Sequence, residues 1–133
     1  MPAPIPDSHA DLLRRDKKAF AHLAVVTKSG APHVTPMWFD FDGEHIIFNT
    51  ARGRLKDKMM RNHPIVALAV SDPSNPYRYI QIRGPVVWEN EEGGYDQICD
   101  LNLKYKGDRL YPRFPGQVRV TYKVRPEHVT TMG

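Results

Sequence analysis

The chain has 133 residues, enough for one domain with a hydrophobic core that needs no disulfide or metal to hold it together. Its 41% hydrophobic and 26% charged residues are ordinary for a globular protein, and its net charge of +4 favours an anionic ligand but is too small to indicate nucleic acid. Cys99 is the only cysteine, which excludes a disulfide framework and a cysteine metal site and fits a reducing cytoplasm.

The sequence carries no sign of membrane targeting. No apolar run approaches the length of a membrane span, and the N-terminus lacks the apolar core of a signal peptide. We therefore expect a cytoplasmic protein with a single domain over residues 1–133 and no membrane span. Twelve prolines and nine glycines indicate many turns and hence many short strands.

The first half of the chain is predicted to form a short helix and then a three-stranded antiparallel meander. The helix, which Asp7 or Ser8 can cap, carries two leucines. Strands are expected over residues 20–27, 33–41 and 45–50. Asp42-Gly43, the strongest hairpin signal in the chain, joins the last two of these strands.

Residues 49–64 carry a group of positive charges that is opposed by a single carboxylate. Gly53 lies where the third strand gives way to a helix, so the backbone there can turn tightly or approach a ligand closely. The helix is expected to bury a stripe formed by Leu55, Met59 and Met60. The cations of this segment are Arg52, Arg54, Lys56, Lys58 and Arg61, and Asp57 alone opposes them.

Two interpretations of these cations stay open. The first N–H groups of a helix have no partners within it, so a basic helix start after a glycine turn is suited to an anion. If Arg54 lies in the extended approach and Lys56 in the first helical turn, both side chains can reach one phosphate. The alternative is a solvated basic face on which Arg54, Lys58 and Arg61 form a stripe at helical spacing.

Three more strands and a second helix are predicted in the second half. The strands cover residues 65–71, 77–89 and 118–124, the first apolar on both faces and the last half-exposed. The middle strand is too long to be straight, and Gly84-Pro85 marks a bulge or a bend at a barrel corner. A helix within residues 91–106 ends at Gly107. Six antiparallel strands with short helices predict an α+β fold, mainly antiparallel β, closed towards a barrel.

Other common chemistries lack support in the sequence. The six histidines show no pair at metal-ligand spacing joined to a carboxylate or cysteine. There is no G-x-S-x-G elbow, no dinucleotide-binding glycine motif and no Walker sequence. Trp38, Trp88 and the tyrosines are more simply core residues than a surface for nucleic acid. We therefore expect no nucleic-acid partner, no metal site and no dedicated catalytic side chain.

Three segments carry a resemblance to a known family. They are the hairpin Leu23-Ala-Val-Val-Thr-Lys-Ser-Gly-Ala-Pro-His-Val-Thr-Pro-Met-Trp-Phe, the Arg-x-Lys segment within residues 50–64, and the strand Tyr79-Ile-Gln-Ile-Arg-Gly-Pro-Val. With them, the strand order resembles the split β-barrel family of pyridoxamine-phosphate-oxidase-like flavoproteins. Within that family the chain is similar to the small actinobacterial oxidoreductases that bind the deazaflavin coenzyme F-420.

This resemblance implies a dimeric split β-barrel of about six strands, with the cofactor in a cleft between the two subunits. The residues implied along the isoalloxazine-like ring are His33, Thr35, Pro36, Met37 and Trp38. Those implied around the phosphate tail are Thr50, Ala51, Arg54 and Lys56. The residues implied from the other protomer are Tyr77, Tyr79 and Gln81.

Two of the residues implied along the ring, Pro36 and Trp38, also have an interpretation that needs no ligand. Pro36 cannot donate to a strand ladder, so its strand must be free on one side, either because a ligand lies there or because the strand is an ordinary edge. Trp38 either walls the ring or is a core tryptophan that packs beside Phe39.

The implied function is transfer of hydride from reduced F-420 to an unsaturated small organic substrate, such as an enone or lactone. The alternatives are an FMN-dependent flavoprotein of the same fold and a non-catalytic cofactor carrier. The oxidase proper has a longer chain and substrate-phosphate residues near its C-terminus. Arg113 and Arg119 are the only candidates for that role here, which counts against vitamin B6 oxidation.

Overall fold

The computed structural model describes residues 2–133 and contains eight strands and two α-helices. The strands are β1 (Ala21–Val26), β2 (Pro32–Met37), β3 (Asp40–Phe41), β4 (Ile46–Ala51), β5 (Ile65–Asp72), β6 (Asn75–Asn90), β7 (Arg119–Val124) and β8 (His128–Met132). The α-helices are α1 (Leu55–Asn62) and α2 (Gly94–Lys106), and two short 3-10 helices cover Asp7–Leu13 and Arg15–Lys17.

All paired strands run antiparallel, in the order β2-β1-β5-β6-β7-β4-β3, and β8 adds to β6. The predicted class, mainly antiparallel β with short helices, is confirmed. β2 and β4 stand near opposite ends of this order and are not paired with each other. The sheet is therefore split between them.

The long strand β6 bends where the sequence predicts a corner. It pairs with β5 as far as Pro85 and with β7 from Val86 onward, with a register shift before Trp88. At Gly84 the backbone of Arg125 crosses so closely that an added Cβ would lie 1.8 Å from the Arg125 carbonyl oxygen. Only glycine permits that approach, and the corner depends on it.

The predicted three-stranded meander is correct in its two hairpins, β1–β2 and the β3–β4 hairpin at Asp42-Gly43, but wrong in treating residues 33–41 as one strand. β2 pairs with β1, but the chain then leaves the sheet at Trp38 and Phe39, so that β3 and β4 join its other end. The fold has eight strands rather than about six, because β3 is separate from β2 and because β8 was not predicted. β8 is mostly exposed and lacks an apolar alternation that would reveal it.

Strand β7 is buried on both faces instead of half-exposed. Arg119 and Thr121 are buried along with the apolar residues of the other face. Helix α2 packs over this strand, and an added Cβ at Gly94 would lie 2.1 Å from the Arg119 carbonyl oxygen. The alternating pattern predicted that one face of β7 is exposed to solvent, whereas in the structure α2 covers that face.

The helices follow the predictions in outline. Met59 and Met60 of α1 are buried, but Leu55 is exposed, so the predicted stripe is correct only for the two methionines. α2 ends at Gly107 as predicted, in the left-handed conformation and with its N–H bonded to the Leu103 carbonyl. The first helix is 3-10 rather than α, and no side chain caps it.

The core fills the space enclosed by the bent sheet. Its largest fully buried side chains are Tyr122, Phe39, Phe48, Leu12, Leu23, Ile46, Leu68, Ile80, Ile82 and Leu101. None of the helices in residues 2–133 is long and apolar enough to cross a membrane.

Candidate functional site

A cleft opens where the sheet is split. It has a volume of about 670 Å³, within the range of small-molecule sites. β2 and the residue after it form one wall, the end of β4 and the start of α1 form another, and α2 closes it. The residues that line it are His33, Pro36, Met37, Trp38, Asn49, Thr50, Arg54, Leu55, Lys56, Ile98, Leu101, Lys106, Tyr111 and Arg119.

All the charged side chains that line this cleft are positive. Arg54, Lys56, Lys106 and Arg119 line it, and none of the lining residues is a carboxylate. Arg54 is the residue before the first turn of α1 and is extended, with φ −69° and ψ 160°, while Lys56 lies in that turn. The arrangement that allows both to face one anion is therefore present. Neither side chain has an ion pair within the described part of the chain.

The surroundings of Lys56 disfavour its charged form. Burial lowers its pKa, and the positive charge of Arg54 lowers it further. An anion placed between the two side chains would offset the repulsion between their positive charges.

Arg52, by contrast, is fully engaged in the structure. Its guanidinium bonds Asp57 at 2.9 Å, Glu89 at 3.0 Å and Glu91 at 2.8 Å. The Asp57 carboxylate also accepts a bond from the Gly53 N–H at 2.8 Å. Gly53 has φ +91°, so this buried carboxylate fixes the glycine turn that sends Arg54 towards the cleft.

Burial opposes ionisation of Asp57, but hydrogen bonds from Tyr122, Gly53 and Arg52 outweigh burial and hold its pKa below the ordinary value. The Tyr122 hydroxyl donates to this carboxylate inside the barrel. The pKa of Tyr122 is raised, mainly by burial and secondly by this hydrogen bond. The core is therefore tied to the start of α1 by a polar contact.

The other end of the cleft is aromatic. The indole of Trp38 stacks on the ring of Tyr105, which stacks in turn on Phe20. The Tyr105 hydroxyl donates to the Ala19 carbonyl at 2.6 Å, and Lys106 Nζ lies 5.7 Å from the centre of the Trp38 ring. The Trp38 indole is half-buried, is held by its stack on Tyr105 and has the Lys106 cation beside it. It forms a flat wall suited to a planar, electron-rich ligand.

Arg119 approaches the cleft from beneath α2. Its Nε donates to Asn49 Oδ1 at 2.8 Å, and Asn49 Nδ2 in turn donates to the Gly94 carbonyl at 2.8 Å. Its guanidinium carbon lies 5.3 Å from the centre of the Tyr111 ring. Its Nη1 is buried and has no hydrogen-bond partner within residues 2–133.

The structure brings seven of the twelve expected cofactor residues to this cleft. They are His33, Pro36, Met37, Trp38, Thr50, Arg54 and Lys56. Thr35 and Ala51 lie between or beside these residues but do not line the cleft, and Thr35 Oγ1 is buried with no partner in the described chain. Tyr77, Tyr79 and Gln81 lie on β6, apart from this cleft, so their predicted role from a partner subunit stays a prediction.

The remaining lining residues were not among the expected ones. They are Asn49, Leu55, Ile98, Leu101, Lys106, Tyr111 and Arg119. Ile98 and Leu101 form the apolar helical spacing that predicts α2, but that spacing does not tell which surface the helix covers. Arg119 reaches the cleft through the pairing of β7 with β4, and Tyr111 reaches it from the segment between α2 and β7. No local sequence signal specifies either placement.

Comparisons with known proteins show the family of the chain. A family model described as pyridoxamine 5'-phosphate oxidase matches residues 5–132. A solved structure described as an F-420 reductase is 34% identical, with a TM-score of 0.84, and the match covers 95% of this chain and 98% of that one. No curated protein matches the chain.

More distant solved structures share the fold. A conserved hypothetical protein from Mycobacterium tuberculosis is 17% identical, with a TM-score of 0.73, over 97% of this chain and 85% of that one. HupZ from Group A Streptococcus is 16% identical, with a TM-score of 0.68, and the match covers 96% of this chain and 94% of that one. At these identities the likeness shows the architecture and no function.

Proposed function

The chain belongs to the pyridoxamine 5'-phosphate oxidase family, and from that premise we propose that it is an oxidoreductase dependent on coenzyme F-420. It transfers hydride from the reduced deazaflavin to an unsaturated small organic substrate, such as an enone or lactone. The structure described as an F-420 reductase, 34% identical over nearly all of both chains, supports this choice of cofactor.

The observation that carries the proposal is the charge and shape of the cleft. Four cations and no carboxylate line a space of about 670 Å³ that has an aromatic wall at one end. A deazaflavin cofactor has a planar ring and an anionic tail, and these residues fit both parts. Arg54 and Lys56 would hold the phosphate of the tail, and Trp38 and Met37 would lie beside the ring.

A bound deazaflavin supplies the hydride, so the chain's own residues need only bind, orient and exclude water. The stack on Tyr105 fixes the orientation of Trp38, and Ile98 and Leu101 of α2 give the cleft an apolar side. His33 lines the cleft from β2. No acid or base side chain is assigned, and protonation of the product is left to solvent or a tyrosine.

The alternative cofactor is FMN. The family match itself supports it, because the family is described by a pyridoxamine 5'-phosphate oxidase. FMN also has a planar ring and a phosphate, so Arg54 and Lys56 would serve both molecules. Protein that is yellow as purified, with an ordinary flavin spectrum, would favour this alternative.

We also propose that the protein is a homodimer and that Tyr77, Tyr79 and Gln81 complete the cleft of the partner subunit. Tyr77 is 84% exposed on β6, and β2 presents an edge with Val34 63% exposed. A second copy would cover such surfaces. Light scattering at micromolar concentration is expected to give the mass of two chains, and a folded monomer would contradict the proposal.

The test of catalysis is oxidation of chemically reduced F-420 by the protein. Adding an enone or unsaturated lactone is expected to accelerate the loss of reduced cofactor and to yield the saturated product. Tight binding of F-420 without turnover across such a panel would identify a carrier instead.

A further inference from the structure

Arg119 is an arginine that the fold leaves without a counter-ion. Arg119 is only 6% exposed. Within the described chain it nevertheless forms no ion pair, and its Nη1 has no hydrogen-bond partner. Arginines elsewhere in this protein are paired when partly buried, as Arg52 is with three carboxylates and Arg78 with Asp11 and Asp72. A buried unpaired cation is costly, so its presence calls for a partner that the chain does not contain.

The groups around Arg119 orient the guanidinium but do not neutralise it. Asn49 accepts from Nε, and the Tyr111 ring lies 5.3 Å from the guanidinium carbon. Burial lowers the pKa of Arg119, the interaction with Tyr111 opposes this effect, and the nearby charge of Arg54 lowers the pKa further. With Nε engaged, the guanidinium is held in place, and Nη1 remains as a hydrogen-bond donor without a partner.

That donor belongs to a residue that lines the cleft. We propose that Arg119 binds an oxyanion, phosphate or carboxylate, carried by the ligand of the cleft. The proposal deepens the proposed function, because it adds a third anion-binding residue to Arg54 and Lys56. A guanidinium is the side chain best suited to this role, since its planar donors match an oxyanion and it stays charged when buried.

The position of Arg119 also limits the shape of the ligand. Through Asn49 it is bonded to the N-terminal end of α2, where Gly94 and Gln97 lie, while Lys106 at the other end of α2 lies over Trp38. From Gln97 to Lys106 a helix rises roughly 14 Å. The cleft is therefore built for an elongated ligand with a flat ring at the Trp38 end and an oxyanion at the Arg119 end.

The test compares Arg119→Met with Arg113→Met, a matched control. Arg113 is an exposed arginine over the Tyr95 ring, outside the cleft. Melting temperature is measured with and without inorganic phosphate, which stabilises a folded protein that binds it. Arg119→Met is expected to keep or raise the melting temperature of the ligand-free protein and to weaken phosphate binding by about tenfold or more. The control is expected to bind phosphate like the wild type.

A second variant separates binding from folding. Arg119→Lys keeps a cation and is expected to recover part of the phosphate affinity that Arg119→Met loses. Failure of Arg119→Met to fold, or an unchanged phosphate response in a folded Arg119→Met, would overturn the proposal. The first result would make Arg119 a structural residue, and the second would place the anion elsewhere.

Titration of F-420 into the same variants identifies the source of the oxyanion. A matching loss of F-420 affinity in Arg119→Met assigns it to the cofactor, whereas unchanged F-420 affinity with lost phosphate binding assigns it to the substrate. If the wild type binds neither F-420 nor FMN but its phosphate response still depends on Arg119, the anion site stands and the proposed function fails.

Discussion

The Trp38 indole and the Tyr105 ring are stacked nearly parallel, with centroids 5.2 Å apart and an angle of 8° between their planes. Trp38 also lines the cleft, so it packs against the protein and faces the ligand site at once. The two sequence interpretations, a ring wall and a packed tryptophan, are therefore compatible. The stack fixes the orientation of the indole within the cleft wall.

We expect cofactor binding to quench tryptophan fluorescence, and Trp38→Phe to remove most of that quench. Phenylalanine keeps an aromatic ring against Tyr105, so the melting temperature should change little. The rate of hydride transfer or the substrate preference should change. Trp88, which lies on β6 outside this cleft beside Lys123, provides the control substitution. A quench that survives in Trp38→Phe and disappears in Trp88→Phe would place the ligand along β6.

Arg54→Ala and Lys56→Ala should each weaken cofactor binding by about 1.5–3 kcal/mol, the range for a hydrogen bond to a charged group. Neither residue has an ion pair to lose, so the melting temperature of the cofactor-free protein should hardly change. Lys58→Ala and Arg61→Ala are matched controls on the same helix that do not line the cleft. Calorimetric titration of all four variants provides the measurement, and an equal loss in all four would indicate a diffuse positive surface.

Asp57→Asn should lower the free energy of unfolding by about 2 kcal/mol, because the donors from Gly53, Arg52 and Tyr122 lose a buried acceptor charge. Glu91→Gln removes a more exposed partner of Arg52 and should cost under about 0.5 kcal/mol. Urea unfolding of both variants tests this. Since the folded pKa of Asp57 is lowered, its contribution is present above the ordinary value of 3.8 and is lost as the pH falls through the folded pKa.

Because of Lys104, we expect the free energy of unfolding to change at alkaline pH. Its ammonium is buried, donates to the Phe39 carbonyl at 2.7 Å and lies over the rings of Phe39 and Tyr105. Burial lowers its pKa to about 8, although the charge of Asp40 acts in the opposite direction. Between that value and the ordinary 10.5, the unfolded chain holds the proton and the folded chain releases it. The contribution of Lys104 to the free energy of unfolding must therefore rise with pH in this range.

The measurement for Lys104 is urea unfolding at about pH 7.5 and about pH 9.5, below the range where Tyr105 titrates. The pKa of Tyr105 is raised to about 12 by burial, so a tyrosine effect of opposite sign begins only near pH 10. Lys104→Met should remove most of the rise and leave the part that comes from Lys56, whose pKa is also lowered, whereas the exposed Lys58→Met should keep the whole rise. A rise of equal size in Lys104→Met would refute the assignment.

The sequence predicted local features well, because they depend on residues close together in the chain. The turn at Gly53, the extended Arg54, the corner at Gly84-Pro85 and the end of α2 at Gly107 all follow from backbone preferences. The family and the class of fold were also predicted correctly, from strand order and the Arg-x-Lys segment.

What could not be predicted depends on pairing across the sheet. The meander failed because the chain crosses at Trp38 and Phe39 to the far end of the sheet, and hydrophobic periodicity does not specify which strands pair. Arg119 alternates with valines in a pattern typical of a solvent-facing side chain, yet α2 covers it. A buried arginine of this kind can be found only when the helix above it has been placed.

The most direct test of the central claim is separate titration of F-420 and of FMN against the pure protein, followed by absorbance and tryptophan fluorescence. We predict saturable F-420 binding at one site per chain, much tighter than that of FMN, and its loss in the Arg54→Ala/Lys56→Ala double variant. Preferential binding of FMN, or F-420 binding that the double variant leaves unchanged, would contradict the account.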